Sequence, residues 1–289
     1  MNNRSKSLAL LAAAISACAA APAFAQNANF APGDLIMGFQ ALGGTGSDQT
    51  VLTVLGNSAA FRDAQTNSIS LTNIGSTLTT TFGNNWFERS DLRFGIVGVW
   101  SNSSLSTALQ NGDPARTLYV SRSREGLGAI GAQNSTRPAV NTDTSMSTAS
   151  NNMVGLQQVL ETQYTTRTAV VPTTTANTWE EFNSANSSAF GAIQGSIEQA
   201  FGTGTFGVMG AAGSVEAALD LFRIQARNNV ASQYGAGAEN RVGQYLGTFT
   251  IDQVGAISYL AIPEPTSIAL LASAAGLLGF TRRRVKSAA

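Results

Sequence analysis

Two short apolar segments, one near each end, decide which part of this chain can build a folded core. Leu8–Ala21 follows two basic residues, and Thr266–Phe280 precedes a basic cluster. Each segment has about 14 or 15 residues, whereas a helix that spans a bilayer needs about 20. The fold therefore has to come from residues 26–262, which are enough for one large domain or two small ones.

Charge is distributed unevenly between the two ends and this body. The whole chain has 17 basic and 17 acidic residues. Six of the basic residues lie in the ends, which leaves the body with 11 arginines, no lysine and 16 acidic residues, a net charge near −5. Because the body is acidic and its arginines form no basic stripe, nucleic acid is not expected as a partner.

Histidine is absent, and the one cysteine, Cys18, lies in the N-terminal segment. The body therefore cannot form a Cys/His zinc site, a Ser-His-Asp triad or a cysteine nucleophile. Carboxylate pairs are the acid–base chemistry that remains. The pairs close in sequence are Glu180 with Glu181, Glu88 with Asp91, and Glu216 with Asp220. Each is more simply a capping or solvated group, so we predict no catalytic residue, cofactor or metal site and no enzymatic activity.

The N-terminal segment has the three parts of a secretory signal peptide, residues 1–25. Basic residues, an apolar run and the site Ala23-Phe24-Ala25 follow one another, which predicts a signal helix and cleavage before Gln26. The partners would be the Sec machinery and signal peptidase. One alternative is lipidation of Cys18, because Ile15-Ser16-Ala17-Cys18 resembles a lipoprotein box. The other is a transmembrane anchor, which the short apolar run disfavours.

The C-terminal tail, residues 263–289, combines three elements in order. Pro263-Glu264-Pro265 comes first and interrupts regular structure, because two prolines in three residues favour an extended backbone. The apolar run 266–280 predicts a short transmembrane helix of roughly 22 Å. The tail ends with the basic residues Arg282, Arg283, Arg284 and Lys286. The positive-inside tendency keeps this cluster in the cytoplasm and places the body outside the inner membrane.

This tail resembles the PEP-CTERM sorting signal of Gram-negative bacteria, which has a Pro-Glu-Pro motif, a short hydrophobic helix and an Arg-rich end. The resemblance implies that an exosortase, an integral-membrane cysteine enzyme, recognises Pro263, Glu264 and Pro265 and that the residues beyond them are lost. It also implies transient anchoring in the inner membrane, then display at the cell surface or in the extracellular matrix, in connection with exopolysaccharide and biofilm. The alternative is a permanent single-pass anchor.

The body is predicted to be an α+β domain with a mainly antiparallel β-sheet and a few amphipathic helices; a β-sandwich is the alternative. Period-2 alternation over Leu92–Trp100 is typical of a strand. Other strands are predicted at 35–39 and 50–55, joined by a turn at 43–46, at 117–122, and in a final hairpin of 245–251 with 256–260. Helical spacing indicates helices near 74–82, 153–164 and 190–201, and a helix start at Thr178.

Several segments have weaker patterns. Residues 215–226 fit a helix or a strand, and resemblance to PEP-CTERM family members favours a strand over 217–225. The Ser/Thr/Asn-rich stretches 135–150 and 172–177 predict loops or an insertion. Two G-x-G-x-x-G matches, at 126–131 and 202–207, lack the strand-then-helix context of a nucleotide site and are interpreted as loops.

Aromatic residues are the remaining candidates for ligand contact. Trp100 lies on the apolar face of a predicted strand and is expected in the core. Trp86 lies among Asn84, Asn85 and Arg89 and is the better candidate for an exposed ring. The sequence as a whole predicts an exported protein with a structural or adhesive role in the surface matrix. The alternatives are an extracellular carbohydrate-active enzyme that uses carboxylates and a sugar-binding module.

Overall fold

The computed structural model describes Phe30, Leu109 and residues 32–64, 68–100, 111–124, 130–139, 143–163, 166–172, 207–209, 216–225 and 243–262. The strands are β1 (Asp34–Ala41), β2 (Gln49–Asn57), β3 (Ile69–Asn73), β4 (Leu92–Val99), β5 (Leu118–Ser123), β6 (Thr168–Pro172), β7 (Gly207–Val208), β8 (Glu216–Ile224), β9 (Gln244–Asp252) and β10 (Ala256–Ala261). The helices are α1 (Ser58–Arg62), α2 (Gly75–Phe82) and α3 (Asp143–Gln163), and a 3₁₀ turn covers Trp86–Glu88.

The described strands belong to one sheet in which every pairing is antiparallel. Its order is β3-β10-β9-β8-β5-β4-β1-β2-β6, and β7 pairs with β4 off this path. The predicted antiparallel sheet with few helices is confirmed. The alternative of two packed sheets does not apply to these strands, because they form one continuous sheet that curls into a half-barrel.

The curl brings the two edges of the sheet towards one core. Val51 of β2 and Ile69 of β3 belong to the same buried cluster, although their strands lie near opposite edges. Phe61 of α1, which follows β2, packs edge-on against Tyr259 of β10 with ring centroids 5.1 Å apart. Helix α2, which follows β3, packs against Gly46 in the turn before β2 through Thr81 and Phe82. The two short helices therefore link the sheet edges.

Strand β4 shows how the sequence produces two cores. Phe94 and Ile96 point into the first core, which α1, α2 and the 3₁₀ turn cover, whereas Val97 and Val99 point into the second. The second core is covered by α3 through buried residues that recur every three or four positions: Met146, Ala149, Met153, Leu156 and Leu160. The alternation predicted for this strand is confirmed, but both faces are buried and not one.

Several elements agree with the sequence and others do not. The strands near 35, 50, 117 and 217, the final hairpin, and the helices near 74 and 153 are confirmed. The prediction of a loop over 135–150 is wrong from Asp143 onward, where α3 begins. Met146 and Ala149 are buried and continue the spacing of the helix, but the small polar residues around them make the helical pattern hard to recognise. The pattern search missed β3, β6, β7 and α1.

The remaining predicted elements lie outside the described residues. They are the signal peptide, the predicted loop at 172–177 except for Pro172, which ends β6, the helix start at Thr178, the helix at 190–201 and the tail helix at 266–280. Among the residues that the structure describes, no helix is both long and apolar enough to cross a membrane.

The two ends of the sheet differ, and each needs a name. We call the root the end at which β1 begins and β10 ends; it also carries α1 and residues 111–117, which precede β5. We call the tip the opposite end, with the β1–β2 turn at residues 42–48 and the β9–β10 turn at 253–255. Since all pairings are antiparallel, every strand runs between root and tip.

Candidate functional site

The predicted processing residues flank the described body and lie outside it. These residues are Ala23, Ala25 and Gln26 before the body, and Pro263, Glu264, Pro265, Arg282, Arg283, Arg284 and Lys286 after it. The described chain ends at Ile262, whose N–H donates to the carbonyl of Leu246 at 3.3 Å. Pro263 is therefore the first residue beyond the last described backbone hydrogen bond of the sheet.

Both boundaries of the body lie at the root. Phe30 is 1% exposed and belongs to the second core, and Ile262 packs against the same core. Gly33 follows Phe30 with a φ of +89°, and a Cβ there would lie 2.5 Å from the ring of Trp100. Glycine is needed at this position because it alone tolerates both the positive φ and the close ring. The chain therefore enters the sheet through a tightly packed root.

A buried carboxylate organises this root. Asp113 is fully buried, and its Oδ1 contacts Arg223 Nε at 2.7 Å and Arg223 Nη2 at 2.5 Å. Its Oδ2 accepts the Tyr119 hydroxyl at 2.6 Å and lies 3.1 Å from Arg62 Nη1. Asp113 thus holds β5, β8 and α1 together through two hydrogen bonds and two ion pairs.

The loop before β5 is shaped around the guanidinium of Arg62. Arg62 Nη1 donates to the Asn111 carbonyl at 2.8 Å, and the guanidinium pairs with Asp63 at 2.6 Å. Asn111 and Arg116 have φ values of 49° and 59°, in the left-handed region. Such conformations are uncommon outside glycine and persist where surrounding contacts hold them.

The electrostatics of the root follow from burial and from these partners. Burial raises the pKa of Tyr119, and the nearby negative charge of Asp113 raises it further. The hydrogen bond to Asp63 raises the pKa of Arg62 above its already high value. The tyrosine is therefore neutral and the Arg62 guanidinium charged at every physiological pH.

A second buried carboxylate, Asp220, lies on the other face of β8 and also holds a loop to the sheet. Its neighbours Leu219 and Leu221 point into the first core, so Asp220 points to the second face. Oδ1 accepts Arg124 Nη1 at 2.6 Å and Thr248 Oγ1 at 2.9 Å, and Oδ2 accepts the Asn134 N–H at 2.7 Å and Ser135 Oγ at 2.9 Å. It fixes the segment before α3 to the sheet.

The carboxylate pairs identified in the sequence differ in their exposure and in their partners. Glu88 is exposed, whereas Asp91 forms a two-point ion pair with Arg89 at 2.9 and 2.7 Å. Asp220 is saturated as described, and Glu216 is four residues away along the same strand, roughly 13 Å at the usual rise. The pair Glu180 and Glu181 lies outside the described residues. Sequence reasoning did not single out Asp113.

The aromatic candidates are mostly interior. The prediction that Trp86 is exposed is wrong: it is 2% exposed and packs edge-on against Phe87 in the first core. Its polar neighbours mislead because Asn84 and Asn85 turn outward while Arg89 folds back onto carbonyls. Trp100 is partly buried against the first core, as predicted. Tyr119, Tyr245 and Tyr259 are buried, and Tyr164, Trp179 and Tyr234 lie outside the described residues.

Within the described part of the chain, no three Asp, Glu, Cys or His side chains come together as a metal site would require.

Comparison of the chain with protein-family models, with curated proteins and with solved structures found no match.

Proposed function

We propose that this chain is an exported surface protein whose tail is recognised and processed by an exosortase. The tail carries the proposal: Pro263-Glu264-Pro265, an apolar run and an arginine cluster in that order. The position of the motif supports it. Ile262 makes the last described backbone hydrogen bond of the sheet, and the motif follows it directly in sequence. Two prolines in three residues favour an extended backbone, a form that an enzyme can bind without unfolding the body.

We further propose a structural or adhesive role for the body in an exopolysaccharide matrix. Two observations support this role. The fully buried carboxylates Asp113 and Asp220 hold loops to the sheet through hydrogen bonds and ion pairs, and the body contains no cysteine or histidine. Nothing among the described residues favours the carbohydrate-active enzyme or the sugar-binding module.

The processing proposal is tested by the intact mass of the exported protein. In the wild-type host we expect a mature form that begins at Gln26 and ends within or next to 263–265. In a host strain that lacks its exosortase we expect the tail to be retained. A mature wild-type protein that retains Arg282–Lys286 would contradict the proposal.

A matched pair of variants separates motif recognition from general proteolysis. Pro263→Ala combined with Pro265→Ala is expected to retain the tail, because the two prolines that favour an extended backbone are lost. Ser267→Ala, just beyond the motif, is expected to be processed like the wild type. Equal processing of the two variants would mean that the Pro-Glu-Pro motif is not the recognition site.

A further inference from the structure

The root carries both boundaries of the folded body, and this fixes which end of the sheet faces an anchor. Phe30 and Ile262 contact the second core at the root, and every strand between them runs from root to tip. An anchor attached through the C-terminus, and a leader attached through the N-terminus, would both leave from this one end. The tip has no such connection among the described residues.

The distance from root to anchor is short. Three residues, 263–265, separate Ile262 from Thr266, the first residue of the predicted membrane helix. Four Cα–Cα steps span at most about 14 Å in a fully extended chain. The headgroup layer on each side of a bilayer takes roughly 5–8 Å of this length. The remaining reach is about 6–9 Å, so the root stays close to the headgroups.

We propose that the anchored body docks with its root on the phospholipid headgroups and with its tip directed away from the membrane. The occupant of the root surface is the bilayer itself. With six residues in β10 at about 3.4 Å each, the tip lies roughly 20 Å further out when the strands stand upright. This inference rests on the proposed function, because the tail must first hold the chain in the membrane.

Site-specific fluorescence quenching tests the docking. The predicted mature body has no cysteine, so single cysteines can be introduced cleanly once Cys18 is replaced by Ala. Thr166→Cys marks the root and Thr45→Cys the tip, both at exposed positions. The full chain with its tail is reconstituted into vesicles of phosphatidylethanolamine and phosphatidylglycerol, labelled with bimane, and quenched by lipids that carry a headgroup nitroxide. We expect at least several-fold stronger quenching at the root.

A second pair of variants allows the same measurement if a variant of the first pair does not fold. Asp63→Cys at the root and Val254→Cys at the tip have side chains that are largely exposed, and folding is checked by urea unfolding. Equal quenching at both ends, or stronger quenching at the tip, would overturn the docking while the anchoring stands. A chain that does not sediment with the vesicles at all would instead refute the anchoring, and with it the proposed function.

Discussion

The root and the tip each use an arginine–carboxylate pair to hold a loop, but they bury the pair to different depths. At the root, Asp113 has no exposed surface and meets two arginines and a tyrosine. At the tip, the side chain of Asp91 is 39% exposed and meets Arg89 alone. Arg89 also donates to three backbone carbonyls, those of Gly43, Thr45 and Phe82.

This difference in burial separates two kinds of stabilisation. Removing one partner from a buried pair leaves an uncompensated charge in a medium of low polarity, which is strongly destabilising. Removing one partner from an exposed pair costs little, because water and salt screen the charge that remains. The root therefore depends on its carboxylate, whereas the tip depends mainly on the carbonyl contacts of its arginine.

The largest expected effect is that of Asp113→Ala. We expect the free energy of unfolding to fall by about 3–5 kcal/mol, because Arg223, 3% exposed, loses its carboxylate. Urea denaturation of the purified protein measures it. Asp63→Ala is the matched control: it removes the other carboxylate of Arg62, but this one is 63% exposed, so we expect a loss below about 1 kcal/mol. Similar losses in both variants would abolish the distinction between buried and exposed pairs.

The second-largest effect is expected when Arg89 at the tip is replaced. Arg89→Leu is expected to lower the free energy of unfolding by about 2 kcal/mol, because three charge-assisted hydrogen bonds to carbonyls are lost. Asp91→Ala, which removes only the ion pair, is expected to cost less than about 1 kcal/mol. Hydrogen exchange at residues 43–47 should rise in the arginine variant alone. A larger loss for the aspartate variant would mean that the ion pair, and not the carbonyl contacts, holds this turn.

A smaller effect concerns the helix cap at the root. Asn57 Oδ1 accepts the Ala59 N–H at 3.1 Å and caps α1. Asn57→Ala should cost about 1 kcal/mol, and Asn57→Asp should restore most of it, because aspartate caps equally well. Thermal unfolding of the two variants measures the difference. If the aspartate variant were as unstable as the alanine variant, the cap would not be the source of the loss.

The smallest effect is the pH dependence of the tip. The hydrogen bond from Arg89 holds the pKa of Asp91 below its ordinary value of 3.8. A lowered folded-state pKa gives stability that is present above about pH 3.8 and is lost as the pH falls through the folded value. Since Asp91 is partly exposed, we expect less than about 1 kcal/mol. Unfolding of wild type and Asp91→Asn between pH 7 and pH 2 checks it: the stability gap should close at the acid end, and a constant gap would contradict it.

The strands that the sequence predicted are rich in apolar residues, although most of them are buried on both faces. Leu92–Val99 has apolar residues at every second position, and this pattern alone predicts a strand there. β3 was missed because only Ile69 is buried in an edge strand of small polar residues. α3 was recognised from Met153 onward, although its buried spacing begins at Met146.

The root network had no comparable signal. Asp113 and Arg223 are 110 residues apart, and no local pattern joins them. The turn sequence Asn111-Gly112-Asp113-Pro114 indicates a tight loop, but not that its carboxylate is buried. The proposed processing signals are the reverse case, since they are local, ordered motifs that the sequence alone displays. Contacts that depend on the curled sheet are the ones that sequence reasoning cannot supply.

Strand β10 has neighbours on both sides, β9 and β3, and its C-terminal end lies at the root. A protein attached through this end and gripped by a matrix at its tip would feel tension parallel to the strand. Such a force loads the hydrogen bonds to both neighbours together, in shear, and does not open them one at a time as peeling an edge strand would. The geometry of the last strand thus favours resistance to sustained pulling.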